Sequence, residues 1–252
     1  MTETTETPPR TPANRGLGRG GPDERLGARI EETLALLRRI ERAHTPAALA
    51  SSFSAEDMVL TDLIRQHTPG IGIFTLDTGR LNAETYDLQH RVRARYGAVV
   101  QVFFPDPADV EAYVERYGPN GFYDSVPARQ ACCQARKVAP LERALKGLEA
   151  WLTGMRREQA VTRDALPLEE HDSERGILKF NPLAGWREAD VWHYLKSHDV
   201  PYNELYEQGY RSIGCAPCTR PVTVGEDLRA GRWWWEAADQ KECGLHTRRR
   251  SP

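Results

Sequence analysis

The chain has 252 residues, enough for one large α/β domain or two small ones with a real core. Its formal net charge of −2 gives no global basic footprint for nucleic acid, and no apolar run approaches the span of a bilayer. Its five cysteines, Cys132, Cys133, Cys215, Cys218 and Cys243, are grouped, which in a reducing cytoplasm favours metal binding or catalysis over disulfide staples.

Residues 1–24 hold Thr, Pro, Gly and charge without apolar period, and read as a disordered leader. Ile30, Leu34, Leu37 and Ile40 then follow helical spacing and predict an amphipathic helix that covers a sheet. Ala47 to Phe53 predicts a short buried strand running into Ser54-Ala55-Glu56-Asp57 and an apolar helix from Met58 to Ile64. Ser54 is the expected N-cap, with acids in the first turn. Strand, small-residue turn and helix N-terminus together make a possible anion site, because the first amides lack intrahelical partners; an ordinary βα turn has the same composition.

A second strand, Ile71 to Leu76, ends at Asp77-Thr78-Gly79-Arg80, and a helix from Ala83 to Tyr96 leads to a third strand, Val99 to Phe104. Strands alternating with helical crossovers predict a parallel, twisted sheet with helices on both faces. The ligand crevice then lies beyond the C-terminal strand ends, where Ser52–Ser54 and Leu76–Gly79 meet. Asp109 to Tyr117 predicts another short helix, and Pro127 precedes a helix carrying Cys132 and Cys133. Pro140 is expected to interrupt that helix, which restarts at Leu141–Leu148. Residues 150–154 and 176–183 predict two further strands, and Arg187 to Leu195 a helix. Residues 25–220 thus form the α/β domain, and 221–252 a C-terminal arm.

Two adjacent thiols on a helix do not share a face, so they serve an object at the helix wall rather than packing. Arg136 and Lys137 follow Cys132 and Cys133 by four residues each, so in an α-helix each cation stacks near its cysteine. Cys215 and Cys218, at CxxC spacing, are a redox dithiol, a metal half-site or two unconnected cysteines. Together with the adjacent pair they supply four thiolates, which suit an iron–sulfur cluster or zinc; a cluster offers separate corners to adjacent residues. Cys243 remains as a stray surface thiol or as a nucleophile kept ionised by Lys241, His246, Arg229 and Arg232. Arg229 and Arg232, three apart, suit a doubly charged oxyanion or a solvated basic face. Trp233–Trp235 could stack on a base; pinning the arm to the domain is the reading adopted.

The SFSAED turn, the LDTG strand end, CCxxRK, TGxRRxQ, the GCxPCT turn, the DLRAGRWWW stretch and the terminal KECGLH occur in that order from about Ile30 to His246. In this the chain resembles the assimilatory adenylylsulfate (APS) reductases of the phosphoadenylylsulfate (PAPS) reductase family, whose fold is adenine nucleotide alpha-hydrolase-like. The resemblance implies a 4Fe–4S cluster on Cys132, Cys133, Cys215 and Cys218. It implies that Lys137 links cluster and substrate electrostatically and that Cys243 attacks the sulfate sulfur of APS, leaving AMP and a cysteine S-sulfonate. Reduced thioredoxin, or glutaredoxin, would then release sulfite. Arg229, Arg232 and His246 match positions lining sulfate and phosphate, and Ser52, Ser54, Leu76 and Thr78 match those holding the nucleotide. The turn at Ser52–Asp57 departs from the glycine-rich ATP turn of the wider fold. PAPS as substrate is the nearest rival, although PAPS reductases typically lack the two cysteine pairs. A cluster-containing tRNA-thiolating enzyme would need the glycine-rich turn and a basic RNA face. A zinc-stapled binding module is the non-catalytic alternative.

Overall fold

The computed structural model describes residues 22–159, 166–223, 225–227 and 229–237. Seven α-helices and six strands alternate among them. They are α1 (Pro22–Ala43), β1 (Ala47–Ala50), α2 (Ala55–His67), β2 (Gly72–Leu76), α3 (Ala83–Tyr96), β3 (Val100–Phe103) and α4 (Pro107–Tyr117), followed by α5 (Val126–Cys133), α6 (Ala139–Leu145), β4 (Ala150–Leu152), β5 (Glu169–Asp172), β6 (Ile177–Phe180) and α7 (Glu188–Ser197). The sheet order is β3-β2-β1-β4-β6-β5; all neighbours are parallel except β5 and β6.

Alternation along the strands divides the core into two layers. Leu49, Ile73, Leu152 and Phe180 pack with Leu37, Ile40, Met58, Val59, Leu63 and Val191 on the face covered by α1, α2 and α7. Ala48, Phe74 and Trp151, one residue out of phase, pack against Leu141, Ala144 and Leu145 of α6 on the other face. Helices on both faces follow from strands that are apolar on both sides. No helix among the described residues is long and apolar enough to cross a membrane.

Several boundaries differ from the sequence expectation. Helix α1 begins at Pro22, so the last residues of the expected leader are helical. Strand β1 stops at Ala50, and Phe53 adopts φ 59°, a left-handed backbone that turns the chain into α2. The cysteine helix is not broken at Pro140. It widens earlier, into a π turn over Gln134–Val138, and Pro140 follows directly, where the widened turn accommodates a residue with no N–H to donate.

Strand β5 was not expected. Its sequence, Glu169-Glu170-His171-Asp172, has neither apolar alternation nor β-forming residues. It is held instead by antiparallel pairing to β6 and by the ion pairs Lys179–Glu170 at 2.8 Å, Arg39–Glu169 at 2.6 Å and Arg175–Asp172 at 2.9 Å. Charge on an edge strand also discourages pairing with another chain.

Candidate active site

Strands β2 and β3 lie to one side of β1 and β4 to the other, so the winding direction reverses between β1 and β4. At such a switch point the loops leaving the C-terminal strand ends diverge and open a crevice. A cavity of about 290 Å³ opens there. Its walls include Ser52, Ser54, Leu76, Thr78, Lys137, Arg229 and Arg232, every described residue that the sequence assigned to substrate. His246 and Cys243 lie outside the described residues.

One end of the cavity is built on the α2 N-terminus. Ser54 Oγ accepts from the Asp57 amide at 3.3 Å, the expected cap. The Ser52 amide and hydroxyl both donate to Asp57 Oδ2 at 2.7 Å, and the Ala55 amide donates to the Tyr206 hydroxyl at 3.1 Å. Of the amides expected to hold an anion, those of Ala55 and Asp57 therefore already have partners, and Glu56 and Asp57 put buried carboxylates at that helix end. Burial pushes the Asp57 carboxyl up to about 6, against the hydrogen bonds from Ser52 and Ser54. Glu56 is paired: Arg156 Nε donates to its Oε1 at 2.8 Å and Gln159 Nε2 at 3.0 Å. A Cβ on Gly154 would lie 2.5 Å from Asp57 Oδ1 and 2.8 Å from Glu56 Cβ, so glycine is required for β4 to meet α2 this closely.

The other end is cationic and borders the cysteines. Cys132 and Cys133 end α5, and Cys215 and Cys218 flank a short 3-10 turn at Ala216–Cys218. All four are buried, free of disulfides, and packed together with Tyr113, Phe122 and Trp233. The turn after β2 ties the two pairs. Thr78 Oγ1 lies 3.2 Å from Cys215 Sγ, Arg136 Nη1 donates to the Thr78 carbonyl at 2.7 Å, and the Ala216 amide donates to the Arg80 carbonyl at 2.8 Å. A small cavity is lined by the four cysteines with Arg80, Arg129, Arg136, Lys137 and Arg232. Lys137 and Arg232 also line the large cavity, so the same two cations face both.

The charge of Arg136 acts on Cys132, as the four-residue spacing predicts, and also reaches Cys215, while that of Lys137 reaches Cys215 and Cys218 of the other pair. At Cys215 burial opposes ionisation, but Lys137, the Thr78 hydroxyl, Arg232 and Arg136 together hold the thiol below its ordinary value. Burial, with Cys215 adding to it, pushes Cys218 up to about 12, and burial also raises Cys132 despite Arg136 and Arg80.

The donor set suits an anionic soft-metal centre: four thiols in one pocket ringed by cations. Nε of Arg136 and of Arg232 is buried without a hydrogen-bond partner among the described residues, as expected where an anion completes the site. Among the described residues, no three Cys, His, Asp or Glu side chains converge as ligands of a single metal ion do.

Sequence reading missed Arg80 and Arg129 in the thiol pocket, and Asp57, Glu56, Arg156 and Gln159 around α2. Arg80 directly follows the LDTG strand end, and Arg156 and Gln159 stand within TGxRRxQ, so motif position was their available signal. Arg129, three residues before Cys132, carried none.

A family described as the phosphoadenosine phosphosulfate reductase domain matches residues 46–221. An adenosine 5'-phosphosulfate reductase from Allochromatium vinosum is 54% identical over 227 residues, which cover 90% of this chain and 89% of that protein. One from Burkholderia cepacia is 56% identical over 221 residues, 88% of each. Among solved structures, the phosphoadenylyl-sulfate (PAPS) reductase from Candida auris in a phosphate complex superposes with a TM-score of 0.66 at 28% identity, covering 83% of this chain and all of that one (100%). Candida glabrata FMN adenylyltransferase shares the fold, with a TM-score of 0.55 at 14% identity over 88% of this chain and 76% of its own. With four buried thiols beside a cationic crevice at the sheet's switch point, the chain belongs to the phosphoadenosine phosphosulfate reductase domain family and, within it, to the adenosine 5'-phosphosulfate reductases.

Proposed function

We propose that this protein reduces APS to sulfite and AMP through an S-sulfonate on Cys243, with reduced thioredoxin or glutaredoxin as electron donor. The carrying observation is that Lys137 and Arg232 face both the substrate cavity and the thiol pocket. An attacking thiolate and a sulfate joined to phosphate repel one another, and fixed cations at the meeting point offset that repulsion where charge accumulates.

Ser52, Ser54, Leu76 and Thr78 take the nucleotide, while Lys137, Arg229 and Arg232, with His246, hold the sulfate and phosphate. The Cys243 thiolate attacks the sulfate sulfur. The sulfur–oxygen bond to the phosphate breaks, its electron pair leaves with AMP, and a sulfur–sulfur bond forms. A thioredoxin thiolate then attacks Sγ of Cys243 and sulfite departs with the bond electrons. The second thioredoxin thiol closes the donor's disulfide and returns Cys243 as thiolate. Cys132, Cys133, Cys215 and Cys218 hold one 4Fe–4S cluster, which supplies an anionic centre for the surrounding cations. A cytoplasmic location belongs to the same reading, since the free thiols and their donor need a reducing compartment.

The test is to mix the protein with APS, omit thioredoxin, and look for a sulfonate on Cys243 by mass spectrometry. An adduct there supports the reading, and its absence in protein that binds APS overturns it. PAPS given in parallel decides the substrate: APS is expected to turn over faster, and a clear preference for PAPS would reverse that assignment.

A further inference from the structure

The described part of the arm is fastened to the cysteine helix by a buried ion pair. Arg129 Nε and Nη2 donate to Glu236 Oε1 and Oε2 at 2.9 and 2.8 Å, a two-pronged pair whose side chains are 0% and 3% exposed. The Arg129 guanidinium also lies 4.7 Å from the Trp233 ring, and that of Arg232 is equally close at 4.7 Å. Trp233 is buried and holds φ 42°, a left-handed backbone that a bulky residue keeps only when its surroundings over-determine it. Arg129 stands one turn before Cys132 and Cys133, and its charge also faces Cys133.

Such a pair is a poor device for stability, because desolvating both charges cancels most of their attraction. It is a good device for register: a planar fork accepts a carboxylate in few orientations, and a buried one cannot exchange it for water. Its place in the chain indicates what is registered. Arg229 and Arg232, just upstream, line the substrate cavity. Cys243 follows Glu236 by seven residues, a span of at most about 25 Å fully extended.

The geometry points to Glu236, gripped by Arg129, as the positioning residue of the arm: it keeps Arg229 and Arg232 at the cavity and starts the segment bearing Cys243 from a fixed point beside the cysteine pair. This rests on the reading that Cys243 attacks APS.

The test uses metal-loaded, full-length protein and compares wild type, Glu236→Gln and Glu236→Asp. After APS is added without thioredoxin, the rate of Cys243 sulfonation is followed by quenched mass spectrometry at saturating APS. Thermal unfolding and visible absorbance are recorded alongside. Loss of the charge should slow sulfonation about tenfold in Glu236→Gln, because small misplacements of a reacting group are costly. Glu236→Asp should lose less, about two- to fivefold, with the unfolding midpoint unchanged. Glu236→Gln leaves the Arg129 charge buried without its carboxylate and should lower the midpoint, and neither variant should change the absorbance. A wild-type rate in Glu236→Gln overturns the assignment, as do equal losses in both variants accompanied by a lower midpoint, which mark a purely structural contact. Should Glu236→Gln not fold, Glu236→Asp decides alone: slower sulfonation at an unchanged midpoint supports the role, and a wild-type rate removes it. Absence of any adduct in the wild type instead refutes the function of Cys243.

Discussion

Asp57 stands among the hydroxyls of the substrate cavity but serves the fold. It is 4% exposed and accepts both the amide and the hydroxyl of Ser52, and burial still raises its carboxyl from 3.8 to about 6. A group whose pKa is raised on folding contributes most below its unfolded value and loses that contribution as pH rises through its folded value. The protein therefore becomes less stable between about pH 4 and pH 6 on account of Asp57, by of order 3 kcal/mol in all. Asp57→Asn keeps an acceptor for Ser52 and removes the charge. Its stability relative to wild type should be roughly 1.5 kcal/mol more favourable at pH 8 than at pH 5. Urea unfolding at the two pH values checks this, and an offset independent of pH would show that Asp57 is not the titrating group.

At the scale of elements, the site is set by two close approaches that strand and helix propensities do not reveal. One is β4 against the start of α2 at Gly154, where a methyl group would collide with Asp57 Oδ1 and Glu56 Cβ. Asp57 cannot swing aside, because Ser52 holds it with two hydrogen bonds. Gly154→Ala should cost about 1–3 kcal/mol of stability by overpacking and raise the KM for APS by displacing Ser52 and Ser54. Denaturant unfolding and steady-state kinetics measure both, and wild-type values for the two together would mean the strand end yields freely. The second approach is that of the π turn to the CxxC turn. The charge of Arg136 acts on both Cys132 and Cys215, and that of Lys137 on Cys215 and Cys218, a meeting of distant segments that helix periodicity cannot reveal.

Across the whole molecule, five cationic side chains converge on four thiols: Arg80, Arg129, Arg136, Lys137 and Arg232. The elements that contribute them come from separate parts of the chain, namely the β2 end, α5, the π turn and the arm. On the proposed reading an anionic centre held by the thiols would link these elements, and its removal would leave cations facing one another in a poorly solvated pocket. Stripping iron with a chelator under reducing conditions should lower the unfolding midpoint by about 5 °C or more, with partial recovery at high salt as the cations are screened. Calorimetry of loaded and stripped protein measures it, and identical midpoints would show that the thiols do not couple these elements.

The alternation of apolar strands with amphipathic helices is a local property of the chain, so the doubly covered parallel sheet and the crevice beyond its strand ends followed from residue order alone. The four thiols likewise suggested by their type and grouping that they belong together, and they share one pocket. Other features had no local signal. β5 is a strand only because β6 offers it a free edge and three basic side chains neutralise its acids. The α2 terminus looks open to anions in sequence, but Tyr206, about 150 residues away, takes the Ala55 amide. Arg129 reads as one more helix-surface cation until the arm folds back and supplies Glu236. Periodicity and residue type are carried by neighbours in the chain, whereas partners of buried charges are chosen by whichever distant segment desolvates them, and only the tertiary structure makes that choice.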